Sequence, residues 1–195
     1  IQGSGSYKIP YLLFQPCQNK GKFPLVIYLN PDGKSKEALP GGEIESMVKQ
    51  GYSVLAPDII GIGELGPIGP PSSIYQLEIG QGAYGIWFFG LQVGKSIVAV
   101  QAQDIIQLVN VMKARYDIAG DQIFALAKGN LCSTLLHAAA FEMAITKVSL
   151  INPLLSYQSL VTNKYYQPEL IKETVPGSLT VYDLPDLAAC IAPRN

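Results

Sequence analysis

The chain has 195 residues, enough for one domain with a layered core and short for two. Hydrophobic residues make up 48% of it and charged residues 15%, which argues against disorder. A formal net charge of -1 provides no cationic surface for displacing counterions, so no nucleic-acid partner is expected.

Tyr7 to Pro16 reads as an extended segment, with prolines at its boundaries where a ladder donor is dispensable. Leu25-Val-Ile-Tyr-Leu29 is a short apolar run suited to a strand covered on both faces, and Asn30-Pro-Asp-Gly33 closes it with turn chemistry. Ile44, Met47 and Val48 fall at helical spacing over Glu43 to Gln50, with Gly51 at the capping position. Tyr52 to Asp58 is the next predicted strand. The G-x-G-x-x-G that follows, Gly61, Gly63 and Gly66, is read as a structural turn, because Pro67, Pro70 and Pro71 forbid the helix that a dinucleotide site requires there.

Residues 66 to 94 form a long Gly- and Pro-containing excursion carrying Tyr75, Tyr84, Trp87, Phe88 and Phe89. Its aromatics are expected to pack it onto the body, with a ligand or assembly surface as the alternative. Gln101 to Tyr116 is predicted to be an amphipathic helix, with Ile105, Leu108, Val109, Met112 and Tyr116 on its apolar stripe. A further helix is expected from Asn130 to about Met143, a strand over Lys147 to Pro153, and a last helix after Asp183 with Pro185 in its first turn. Strands alternating with helices imply a parallel sheet with helices on both faces.

Gln122-Ile-Phe-Ala-Leu-Ala-Lys-Gly-Asn-Leu131 organises the reading. An apolar strand runs into a glycine turn and then a helix, the shape of a nucleophile elbow, in which G-x-S-x-G places a serine on a strained bend. In the frame Ala125-Leu-Ala-Lys-Gly129 the serine position is Ala127, and a methyl group cannot attack a carbonyl carbon. The backbone N-H of Lys128 is expected to form half of an oxyanion hole, with the other half near Asn30, Asp32 and Gly33.

No base accompanies the bend. The single histidine, His137, lies in the following helix too far along its axis to serve Ala127, and is read as a packed or solvent-facing helix residue. Ser133, Thr134 and Cys132 lack an activating neighbour, and Asp58, Asp183 and Asp186 are read as caps or turn residues. Cys17, Cys132 and Cys190 are too few and too scattered for a disulfide framework or a zinc site. No cofactor and no metal are expected, and no apolar run approaches the roughly 20 residues of a membrane span.

The ordered set Phe23 to Asn30, Gly51 to Asp58 with Gly61-x-Gly63-Glu64, Asp121-Gln-Ile before the elbow, Asn152-Pro-Leu-Leu-Ser-Tyr157 and Asp183-Leu-Pro-Asp-Leu-Ala188 resembles the α/β-hydrolases, and within them the bacterial acetyl-xylan-esterase-type hydrolases. The resemblance covers most of the chain from about Tyr7. It implies an α/β sandwich over residues 1–195 as a single domain, lacking the last two strands, on which that fold carries its acid and histidine. It also implies a periplasmic or extracellular bacterial setting. Serine, the first motif glycine and the arginine usual before the glycines are replaced by Ala127, Ala125 and Ile60, which reads as drift after loss of selection. The expectation is a non-catalytic domain with a scaffolding or binding role, taking another domain, a second copy of the chain or a glycan as partner. The alternative is a serine esterase whose remaining catalytic groups lie outside this chain.

Overall fold

The computed structural model describes residues 1–17, 21–66, 82–192 and 194. Five strands form one sheet in the order β1-β3-β2-β4-β5: β1 (Tyr11–Phe14), β2 (Phe23–Leu29), β3 (Ser53–Pro57), β4 (Ile118–Lys128) and β5 (Ile145–Ile151). Only β1 runs antiparallel, against β3; β2, β3, β4 and β5 pair in parallel.

Helices cover both faces, as the alternation inside β2 requires. Leu25, Ile27 and Leu29 enter the larger core, with α3 (Ile97–Lys113), α4 (Leu131–Phe141) and α6 (Leu184–Ile191). Val26 and Tyr28 enter a smaller core with Ile44 of α1 (Glu43–Lys49). A central parallel strand is thus apolar at every position because neither face meets water.

The predicted helix at Gln101 to Tyr116 starts earlier and stops earlier than its stripe suggested. Buried Ile97 and Val98 open α3, whereas Tyr116 is outside it and exposed. The Arg115–Asp117 ion pair, 2.6 Å, and the Arg115 N-H bond to Met112 O turn the chain away. In the excursion after Gly66, α2 occupies Gly82–Gln92, and Pro67, Pro70, Pro71 and Tyr75 lie outside the described residues.

Beyond β5 a short helix α5 (Tyr157–Thr162) and 3₁₀ turns at Pro168–Glu173 and Ser178–Thr180 precede α6. Asp183 caps α6 in a reciprocal capping box with Asp186, and its carboxylate also accepts from Ser156 Oγ and the Tyr157 N-H. The predicted cap roles of Asp183 and Asp186 are observed. Arg194 donates to Ala139 O at 2.6 Å and Glu142 O at 3.1 Å, placing a cation on the carbonyl end of α4.

Candidate functional site

The site lies where β2, β4 and β5 end. The predicted strand-turn-helix at Gln122 to Leu131 is present, but its bend is two residues later than the sequence frame placed it. Ala125 and Ala127 sit inside β4, paired with Ile27 and Leu29 of β2 and with Val148 and Leu150 of β5. Ala127 is completely buried, and its backbone is not in the left-handed region. Lys128 is still in the ladder, opposite Ile151. Gly129 is the residue between strand and helix, with φ +52, and its N-H donates to Ile151 O at 2.9 Å. A strained strand-to-helix position is what defines the elbow residue, so the small-x-bend frame is Ala127-Lys-Gly129, followed by Asn130 and Leu131.

A Cβ added at Gly129 would meet only Pro31 Cγ, at 3.9 Å. The bend therefore faces the loop after β2, as predicted, yet that loop offers little to a developing oxyanion. Pro31 has no N-H. The Asp32 N-H donates to Asn30 Oδ1 at 3.0 Å, the Gly33 N-H to Asn30 O at 3.0 Å, and the Lys34 N-H to Asp58 Oδ1 at 2.7 Å. Three successive donors are engaged within the scaffold.

Lys128 points to the other side of the sheet. Its ammonium is 2.8 Å from Glu43 Oε1 and 5.5 Å from the centre of the Tyr28 ring, while Tyr28 Oη donates to Glu43 Oε2 at 2.8 Å. Burial works against its charge, but the Glu43 and Tyr28 contacts outweigh that and raise the lysine pKa. A residue held in this way is a strut between β4 and α1.

Asp58, 2% exposed, is the polar centre of the neighbouring loops. It accepts from the Lys34 N-H, from Lys34 Nζ at 2.7 Å and from the Glu64 N-H at 2.9 Å; Lys34 Nζ also contacts Glu64. This arrangement explains Gly63, the second glycine of the G-x-G run. A Cβ on Gly63 would lie 2.2 Å from Asp58 Cγ, so the turn closes only with no side chain there.

His137 is 5% exposed and both its ring nitrogens are engaged. A carbonyl can only accept, so its Nδ1 carries the proton donated to Ser133 O at 2.7 Å, and Nε2 accepts from Tyr182 Oη at 2.9 Å. Burial pulls its pKa below the usual imidazole value, the Ser133 contact opposing. Cys132 is buried against Ala127 O and Ile151 O, at 3.3 and 3.5 Å, and burial pushes its thiol up to about 11. A thiol so placed is inert at neutral pH. Thr134 donates to Gln101 Oε1 and Ser133 contacts Asn130 O, both at helix-packing positions.

One residue that sequence reasoning passed over stands out. Glu173, at the end of the Pro168–Glu173 turn, is 5% exposed and shares with Asn130, Gln101, Gly61 and Ile62 the lining of a cavity of about 30 Å³. Glu173 Oε2 and Asn130 Oδ1 are both buried without a hydrogen-bond partner. Burial pushes the Glu173 carboxyl up to about 7, with Lys172 opposing. A space of this size holds about two waters, and no ester substrate. Among the described residues no group of three or more His, Cys, Asp or Glu could hold a metal ion, and no helix is long and apolar enough to cross a membrane.

A mostly parallel sheet led by an antiparallel strand, helices on both faces and a strand-to-helix bend at the carboxyl end of β4 make this an α/β-hydrolase fold. Solved structures agree. A protein from Bacteroides fragilis assigned provisionally as an acetyl xylan esterase superposes with a TM-score of 0.74 at 19% identity, over 94% of this chain and 53% of its own. An acetyl xylan esterase from Paenibacillus sp. R4 gives 0.58 at 16% identity, over 84% and 50%. A cold-adapted esterase from an Arctic intertidal metagenomic library gives 0.52 at 17%, over 73% and 54%. The chain thus spans about half the length of these structures. No protein-family model matches the sequence, and no curated protein matches it.

Proposed function

We propose that this is a non-catalytic α/β-hydrolase-like domain, related to esterases of carbohydrate acetyl groups, with a scaffolding or binding role toward a partner domain or glycan. The observation that carries the reading is Gly129. The one residue in the bent conformation that presents a nucleophile has no side chain. Two further features support it. Pro31 faces the bend without an N-H, and His137 is committed to Ser133 and Tyr182. An esterase completed by groups from outside the chain would have to import its nucleophile as well as its acid and base.

The test is turnover. The protein incubated with p-nitrophenyl acetate and with acetylated xylan is expected to release product no faster than a heat-treated control, and to form no adduct with a fluorophosphonate. Neither Ala127→Ser nor Gly129→Ser alone should restore activity, because the chain's single histidine is held by Ser133 and Tyr182. An acyl burst or a phosphonate adduct on the unaltered chain would overturn the proposal.

A further inference from the structure

The segment between β5 and α6 lines a second, open pocket of about 410 Å³, which has no lining residue in common with the cavity beside Asn130. Its volume lies in the range of about 300–1,000 Å³ typical of small-molecule sites. Leu160, Val161, Ile171, Val175 and Leu179 form its walls with the rings of Tyr157 and Tyr166.

We propose that this cavity is a binding site for a small, neutral molecule carrying an aromatic ring. The chemistry of the walls argues for such a ligand. No Asp, Glu, Lys or Arg is among the lining residues, so nothing compensates a charge brought in from water. Three of the five side-chain hydroxyls in the lining are already engaged. Thr174 Oγ1 donates to Ile171 O at 2.6 Å, Thr180 Oγ1 to Gly177 O at 2.7 Å and Tyr157 Oη to Glu173 O at 2.9 Å. A sugar entering here would surrender its hydrogen bonds to water and receive few in return. An aromatic ring surrenders none and meets apolar walls beside the partly exposed Tyr166.

Shape distinguishes an inserted molecule from a flat partner. The lining descends from Val161, 75% exposed, and Leu179, 44% exposed, to Tyr157, 2% exposed. A second copy of the chain laid across the opening would cover the rim and leave the floor empty. The floor is held in place by Tyr157, whose N-H and hydroxyl are anchored to Asp183 and to Glu173 O. This site stands independently of whether the bend at Gly129 hydrolyses anything.

Titrating the full chain with prodan, a neutral naphthalene fluorophore, tests the proposal. Expected are a saturable blue shift at one probe per chain, no displacement by xylotriose, and about tenfold weaker binding in Leu179→Asp at the rim and in Val175→Asp in the wall. Val181→Asp, exposed outside the cavity, should leave binding unchanged. The rim variant changes a partly exposed side chain, so it reports even if Val175→Asp fails to fold. The proposal is overturned if binding does not saturate, if xylotriose displaces the probe, or if Leu179→Asp and Val181→Asp act alike. It is equally overturned if light scattering shows a dimer that Leu179→Asp dissociates into monomers with no affinity for prodan.

Discussion

The bend at the end of β4 and the segment that follows β5 are built on opposite terms. Around the bend the main-chain donors of Asp32, Gly33, Lys34 and Gly129 and the Asp58 carboxylate are engaged by the scaffold, whereas Asn130 Oδ1 is not. The later segment leaves Leu155, Val161, Tyr165, Tyr166, Leu179 and Val181 exposed. The contrast teaches that the strand-to-helix bend is held in place by a network of main-chain donors and the Asp58 carboxylate. Surface available to a ligand lies in the covering segment instead.

The sharpest way to break this contrast is to remove the network's centre. Asp58→Ala leaves Lys34, 10% exposed at its side chain, and two backbone N-H groups without their shared acceptor. Losing one partner of a buried pair costs about 3–5 kcal/mol, and urea unfolding should show a loss in that range. A loss below about 1 kcal/mol would mean that the loops do not depend on Asp58.

Glu173 joins the two regions and gives the next largest effect. Its folded-state pKa is raised, so its protonated form is favoured by folding. That contribution is complete below the unfolded value near 4.5 and is lost as pH rises through about 7. At about 1.4 kcal/mol per pKa unit the loss approaches about 3 kcal/mol. Between pH 4.5 and 7.5 the unaltered chain should lose about that much unfolding free energy relative to Glu173→Gln. His137 works in the opposite sense. Its depressed pKa subtracts stability as pH falls below its unfolded value near 6.5, so the glutamine variant should expose a decline on the acid side.

Smaller effects test the bend itself. Gly129→Ser has open space for its Cβ but must adopt a left-handed backbone, at a cost of about 1 kcal/mol. Ala127→Ser instead introduces a hydroxyl into a completely buried strand position, and a thermal-denaturation series should rank it no better than Gly129→Ser. Tyr182→Phe removes the donor to His137 Nε2 and should cost about 1 kcal/mol, with no change in prodan binding.

Most elements of this fold are legible in the sequence because their signals are local. Leu25 to Leu29 is apolar at every step, Gly51 follows α1, and Asp183-Leu-Pro-Asp186 spells its own cap. The position of the bend is not legible in the same way. Small residues recur at 125, 127 and 129 while Leu131 is large, so residue type favours the frame ending at Gly129 over the frame ending at Leu131 that the backbone adopts. Pro31 was a readable signal, since a proline has no donor, but only its approach to Gly129 gave it meaning.

What the sequence by itself determined is the alternation of strand and helix, the turn and cap chemistry, and the absence of a serine from the stretch where a nucleophile would stand. Those follow from short-range sterics and periodicity. The tertiary structure alone decided that Gly129 carries the bend, that Lys128 braces α1, that His137 is locked to Tyr182, and that Glu173 is buried beside Asn130. Each of these depends on segments tens of residues apart meeting in space, and no local propensity encodes which carboxyl loses its water.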